Sequence, residues 1–183
     1  MNLFYIDTET TGFNPKKHEI IELAFAIEID GIMYCKMELF MRPEKWDIID
    51  SKALKINGWT IERLKRLPSC TDFKEVLFQI AGICQRKNYN QKYKIVEYGN
   101  RFDYNFLKNH IIFNHPDGMF NFIFNRNSIN ALSLAHKKLP GLESYKLVDV
   151  AAALGIPVNR KWAHSAGYDR DLLIEVYHKL KRR

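Results

Sequence analysis

The sequence predicts an α/β fold in which a mixed sheet, three antiparallel strands followed by two parallel ones, is flanked by helices. Three observations carry this. Three apolar, β-rich runs come first, joined by short polar connections, the second of which is the hairpin dipeptide Asp30-Gly31. The apolar period then changes from two to about 3.6. Beyond that point strand-like and helix-like stretches alternate, the pattern that covers the faces of a sheet with helices.

The opening strands are Leu3 to Ile6, Ile20 to Ile29 and Met33 to Met41. Phe73, Val76, Leu77, Ile80 and Cys84 follow at helical spacing behind a capping-box pair, Asp72 and Glu75. Lys94 to Tyr98 reads as a fourth strand leading into Phe102 to His110, and the alternation Phe120, Phe122, Phe124 as a fifth. Ser128 is placed to cap a helix carrying Ile129, Leu132, Ala135 and Leu139, stopped by Pro140-Gly141. Ser144 can cap another, carrying Leu147, Val150, Ala151 and Leu154 and ended by Gly155-Ile156-Pro157. The last helix runs from about Ser165 to the C-terminus, with Leu172, Leu173, Val176, Tyr177 and Leu180 on one face.

A length of 183 residues suits one domain, 1–183, with a single well-buried core. No apolar stretch reaches the ~20 residues of a membrane helix. The N-terminus runs from a strand into acidic residues without the pattern of a signal peptide, which predicts a cytoplasmic protein. Three cysteines without Cys-x-x-Cys spacing indicate neither a disulfide framework nor a thiolate zinc site. A formal net charge of +7 favours a polyanionic partner.

Chemistry concentrates in Asp7-Thr8-Glu9-Thr10-Thr11-Gly12, directly after the first strand pattern. Continued alternation puts Asp7 and Glu9 on one side, roughly 6.6 Å apart, where they either share a hard divalent cation such as Mg²⁺ or Mn²⁺ or form a polar turn. Asp103 shares a helix face with Phe106 and Leu107, where a core pattern calls for an apolar residue; it is a ligand or an N-terminal cap. Asp169 repeats the anomaly on the face of Leu172, Leu173, Val176 and Leu180. His164, five residues earlier, is of the right type to take a proton from water near neutrality, or is a solvated side chain.

Together these residues resemble the DEDDh 3′-to-5′ exonucleases, whose fold is ribonuclease H-like. Asp7-Thr8-Glu9-Thr10-Thr11-Gly12 is similar to the first exonuclease motif, Phe102-Asp103 with Phe106-Leu107 to the second, and His164 with Asp169 to the third, His-x-x-x-x-Asp. Weaker similarity covers Ile56-Asn57-Gly58-Trp59-Thr60 and the stretch from Lys146-Leu147 to Gly155-Ile156, so that it spans nearly the whole chain. Two departures stand out: Asn100 lies three residues before Asp103 and follows Gly99, where many members have the asparagine four before, and Asn130-Ala131 occupies the place of a common Asp-Thr pair.

The resemblance implies a metal-dependent exonuclease that shortens single-stranded nucleic acid from its 3′ end, DNA in preference with RNA as the alternative, and releases nucleoside 5′-monophosphates. Asp7, Glu9, Asp103 and Asp169 would bind two divalent ions, Mg²⁺ or Mn²⁺, with Asp7 bridging them, and His164 would act as general base. Thr10, Thr11, Gly12 and Asn100 would contact the terminal nucleotide, and Phe13, Trp59 and Phe102 would stack on or wedge the last bases, while Phe106 is expected in the core. No nucleotide cofactor is implied, and a homodimer is compatible with the family. The competing expectation is an inactive module of the same fold that binds 3′ ends or a protein partner.

Overall fold

The structure is a computed structural model and describes residues 1–68, 92–114 and 118–183, with the side chains of 112–114 left aside. The predicted helix carrying Phe73 and Cys84 lies outside the described residues.

The chain opens with β1 (Asn2–Thr10), β2 (Ile20–Ile29) and β3 (Ile32–Phe40). Asp30 and Gly31 both have positive φ, 51° and 84°, as a two-residue hairpin matching the strand twist requires. A 3-10 turn at Trp46–Ile48 leads to α1 (Ser51–Asn57) and α2 (Ile61–Lys65), capped by the side chains of Asp50 and Thr60. Then come β4 (Lys94–Glu97), α3 (Phe102–Asn114), α4 (Met119–Ile123) and β5 (Ile129–Asn130). The C-terminal part is helical: α5 (Ala131–Lys138), α6 (Leu147–Ala153) and α7 (Ala166–Arg182). The sheet has the order β3-β2-β1-β4-β5, antiparallel across the first three strands and parallel from β1 to β4 and β4 to β5. This is the predicted mixed sheet of five strands.

The structure departs from the sequence expectation at α1 and α2, where no element is expected, and again in the stretch from Phe120 to Asn130. Phe120, Phe122 and Phe124 do not form the fifth strand. Residues 119–123 are helical behind Gly118 (φ 78°), Phe124 N–H closes the helix on Phe120 O, and Phe122 is left exposed. Positions i and i+4 share a face in a strand and in a helix alike, so Phe120 and Phe124 pack together in either state and the alternation could not separate them. The true β5 begins nine residues further on, and the helix after it is capped by the side chain of Asn130 rather than by Ser128.

Alternation along β1 sorts the two faces of the sheet. Phe4 and Ile6 point to the side of α3 and α4, where they meet Phe25, Phe106, Leu107 and Phe120. Leu3 and Tyr5 point to the other side and pack with Val96 and with Leu173 and Tyr177 of α7. Burial of each such side chain contributes about 1.5–3 kcal/mol. Because the core covers both faces of β1, continuing the strand to Thr10 commits Asp7 and Glu9 to the α7 side and Thr8 to the α3 side. Among the described residues no helix is long and apolar enough to cross a membrane.

Candidate active site

Asp7 and Glu9 extend the Leu3–Tyr5 series of β1 beyond the apolar core, half-buried beneath the start of α7. Asp169 lies in the first turn of α7 and Asp103 in the first turn of α3. Asp103 Oδ1 accepts two hydrogen bonds from Thr8, from N–H at 2.9 Å and from the hydroxyl at 2.6 Å. The end of β1 is thus sewn to α3, and the three acidic motifs meet at one end of the sheet.

Two buried glutamates that the sequence reading passed over hold these helices in place. Glu22, opposite Glu9 in the β1–β2 register, accepts the N–H of Ala166 at the start of α7 at 2.7 Å and the indole N–H of Trp59 at 3.2 Å. Glu97, fully buried at the end of β4, accepts the N–H of Tyr104 in the first turn of α3 at 3.1 Å. Each helix that carries a site aspartate therefore rests its positive N-terminus on an acid from the sheet. The available signal was two glutamates, Glu22 and Glu28, inside the otherwise apolar run Ile20 to Ile29, and Glu97 closing the run at β4.

Crowding has an electrostatic signature. Burial first, then the charges of Asp103, Asp169, Glu9 and Glu22, hold the Asp7 carboxyl well above the usual range. Burial and Glu22 push Glu9 up to about 9, against a hydrogen bond from Asn57 that favours its ionised form. Burial raises Asp103 to about 7, with Thr8 opposing and Glu97 reinforcing the shift. Asp169 is raised by burial too. Its Oδ2 accepts the N–H of His164 at 3.0 Å, but its Oδ1 is buried without a hydrogen-bond partner.

Among the described residues no three of these groups stand close enough to form a ready-made cation cage. Mutually repelling carboxylates and an orphaned buried oxygen are nevertheless what a hard divalent cation would satisfy, and oxygen donors suit it. The residues present fit the group.

His164 is exposed and sits at φ 68°, a left-handed conformation that costs a non-glycine residue of order 1–3 kcal/mol and is concentrated at functional sites. The remaining expected residues divide. Thr10 and Thr11 are buried, and their hydroxyls build the loop: Thr10 donates to Gly12 O at 2.7 Å and Thr11 accepts from Glu19 N–H at 2.9 Å. Gly12 is needed for space, since a Cβ there would lie 2.3 Å from the His18 ring. Phe13 is 52% exposed and available to a base. Asn100 is exposed beside Gly99 and Arg101, both at positive φ; Phe102 is half-buried on Phe106, which is in the core as expected.

Trp59 corrects an expectation. Only 4% exposed, it packs with Ile21, Leu54 and Leu64, lies under the Arg63 guanidinium at 3.8 Å and donates to Glu22, so that its ring is closed to a base. Trp59→Ala should therefore lower stability by ~3–5 kcal/mol in denaturant melts, the cost of emptying a core aromatic site, before any change in substrate affinity. Unchanged stability with weakened binding would restore the stacking role.

The raised carboxyls make a second prediction. Between the ordinary carboxylate range and their folded values, the folded chain holds protons that the unfolded chain has released. The metal-free protein should lose stability as pH rises from about 4.5 towards 9, the window of Glu9, with Asp103 contributing up to about 7. A divalent cation at about a hundredfold its Kd adds ~2.7 kcal/mol, or roughly 5–10 °C in Tm, and more at pH 8 than at pH 5.5, where protons compete. Thermal melts with Mg²⁺ and EDTA at both pH values check this; a metal-independent Tm would contradict it.

Acids gathered in this way, with their neighbours arranged to hold them rather than neutralise them, are the equipment of a metal-dependent hydrolase. The exonuclease family model matches residues 4–177, and the chain belongs to that family. A ribonuclease T from Haemophilus influenzae (strain PittEE) is 32% identical over 187 residues, covering 94% of this chain and 76% of the relative. A PolC-type DNA polymerase III from Mycoplasmopsis pulmonis is 30% identical over 171 residues, 93% of this chain, which spans only 11% of that polymerase. Among solved structures, the nuclease domain of 3′hExo, a DEDDh family member bound to rAMP, superposes with a TM-score of 0.69 at 19% identity, covering 99% of this chain and 92% of that one. The chain thus has the fold of these exonuclease structures, a mixed five-stranded sheet flanked by helices, and the protein is an exonuclease.

Proposed function

We propose that the protein removes nucleotides singly from the 3′ end of single-stranded nucleic acid and releases nucleoside 5′-monophosphates, with Asp7, Glu9, Asp103 and Asp169 holding two Mg²⁺ or Mn²⁺ ions and His164 as general base. The observation that carries this is that Asp7 on β1 lies within the electrostatic reach of Glu9, of Asp103 on α3 and of Asp169 on α7, whose Oδ1 is buried without a partner, near an exposed histidine held at φ 68°. When bound, the ions supply Lewis-acid stabilisation of the phosphoryl oxygens and of the leaving 3′-oxygen.

The chain's own residues supply the rest. His164 accepts the proton of the attacking water at a ring nitrogen, while its backbone N–H, donated to Asp169, ties the main chain that carries the base to the carboxylate. Thr8 keeps Asp103 oriented from two directions. Phe13 and Phe102 present aromatic surface to the last base, a contact indifferent to sequence. A cavity of about 280 Å³ is lined by Ile20, Met41 and Phe106, with both basic and acidic side chains, Lys16, Arg42, Glu19 and Glu44, around it.

The proposal covers both sugars. The polymerase relative brings DNA, and the ribonuclease T relatives, spanned over about three quarters of their length, bring RNA. Digestion of 5′-labelled single-stranded DNA and RNA of one sequence, with Mg²⁺, Mn²⁺ or EDTA, tests it. The expected result is a metal-dependent ladder shortening from the 3′ end, and the faster sugar defines the preference. Metal-dependent stabilisation without digestion of either strand would overturn the catalytic reading in favour of a 3′-end binding module.

A further inference from the structure

Between α6 and α7 the chain runs Val158-Asn159-Arg160-Lys161-Trp162-Ala163-His164. Trp162 is 62% exposed. An indole left in water gives up the stabilisation that burial of a large apolar side chain provides, and the loop beneath it is firmly built. Asn159 N–H donates to the Tyr168 hydroxyl at 2.7 Å, Lys161 N–H to Asn159 Oδ1 at 3.1 Å and Trp162 N–H to Asn159 O at 3.1 Å. Ser165 N–H closes on Trp162 O at 3.2 Å, and Arg160 pairs with Asp149 at 2.6 Å. The aromatic side chain is thus presented to solvent by an ordered backbone, which lowers the entropic cost of using it as a contact.

Its position selects the ligand. Trp162 precedes His164 by two residues, so the two Cα atoms are at most ~7 Å apart, and the loop leads into α7 on the side of the sheet that carries Asp7, Glu9 and Asp169. Phe102, by contrast, lies on α3 against the opposite core, its ring packed at a tilt on Phe106. If the terminal nucleotide rests on Phe13 and Phe102, the aromatic surface at Trp162 remains for the strand beyond it. Arg160, 66% exposed despite its ion pair, and the exposed Lys161 flank the ring in a chain of net charge +7, which matches a polyanion.

We propose that Trp162 stacks on a base of the single-stranded substrate upstream of the terminal nucleotide, with Arg160 and Lys161 beside the adjoining phosphates. This rests on the exonuclease reading above, and the test separates the two. Trp162→Ala and Trp162→Phe are compared with wild type on a short 5′-labelled oligonucleotide and on thymidine 5′-monophosphate p-nitrophenyl ester, which fills only the terminal position. Trp162→Ala should lower kcat/KM on the oligonucleotide roughly 5- to 150-fold, mainly through KM, the range of a lost base–aromatic stack. The ester should be hydrolysed at the wild-type rate, Tm should not move, and Trp162→Phe should recover most of the loss. In EDTA, oligonucleotide binding should quench tryptophan fluorescence in wild type and not in Trp162→Phe.

Equal loss on both substrates, no loss on the oligonucleotide, or binding without a quench that depends on Trp162 would overturn the inference. If wild type cuts neither substrate yet the Trp162-dependent quench persists, the catalytic reading fails and the stacking site stands. If the strand is neither cut nor bound, both fall.

Discussion

Asp7→Asn is expected to lower turnover roughly 10³-fold or more, the scale on which removal of one preorganised electrostatic group acts. The substitution keeps the volume of the side chain and removes its charge, so the half-buried β1 segment loses no packing. The same variant should melt higher than wild type without metal, because the ionised carboxylate is opposed by burial and by Asp103, Asp169, Glu9 and Glu22. It should also forfeit most of the divalent-metal gain in Tm. Loss of activity, apo stabilisation and loss of metal response together identify a ligand; loss of activity with a lowered Tm would identify only a structural residue. Retained turnover in a verified Asp7→Asn preparation would remove the two-ion assignment.

His164→Ala should reduce kcat about 10²- to 10⁴-fold, the range of a positioned general base, with KM little changed. The exposed ring has no packing role to confuse the result, and the backbone N–H that donates to Asp169 is kept in alanine and in glycine. Strain and chemistry can be separated here. Glycine accepts φ 68° without steric cost whereas alanine does not, so His164→Gly should melt higher than His164→Ala while being equally slow. Added imidazole should restore part of the rate to the glycine variant. A wild-type rate in either variant would assign the proton transfer elsewhere.

The elements of this protein were readable from its sequence wherever local pattern and local chemistry coincided. The hairpin at Asp30-Gly31 follows from the positive φ that the turn demands, and the amphipathic α7 from a stripe of apolar residues interrupted by one acid. That interruption, with its counterparts at Asp103 and at Asp7 and Glu9, exposed most of the candidate site, because a carboxylate on an apolar face must be held by something non-local. Phe120–Phe124 was misread because periods of two and 3.6 coincide at i+4, and only contact with Phe4 and Tyr104 selects the helix.

Other decisions belonged to tertiary structure alone. Trp59 has the composition of a base-stacking residue, yet its neighbours Ile21, Leu54 and Glu22 come from other elements and close over it. Glu22 and Ala166 are 144 residues apart, so no window of sequence could reveal that a strand acid receives the N-terminus of α7. Local propensity determines which segments become strands and helices, and their periodicity shows which face carries an acid. Which acids converge, which hydroxyls are consumed in building the loop and which aromatic rings remain open depend on long-range packing, whose partners leave no mark at the positions they contact.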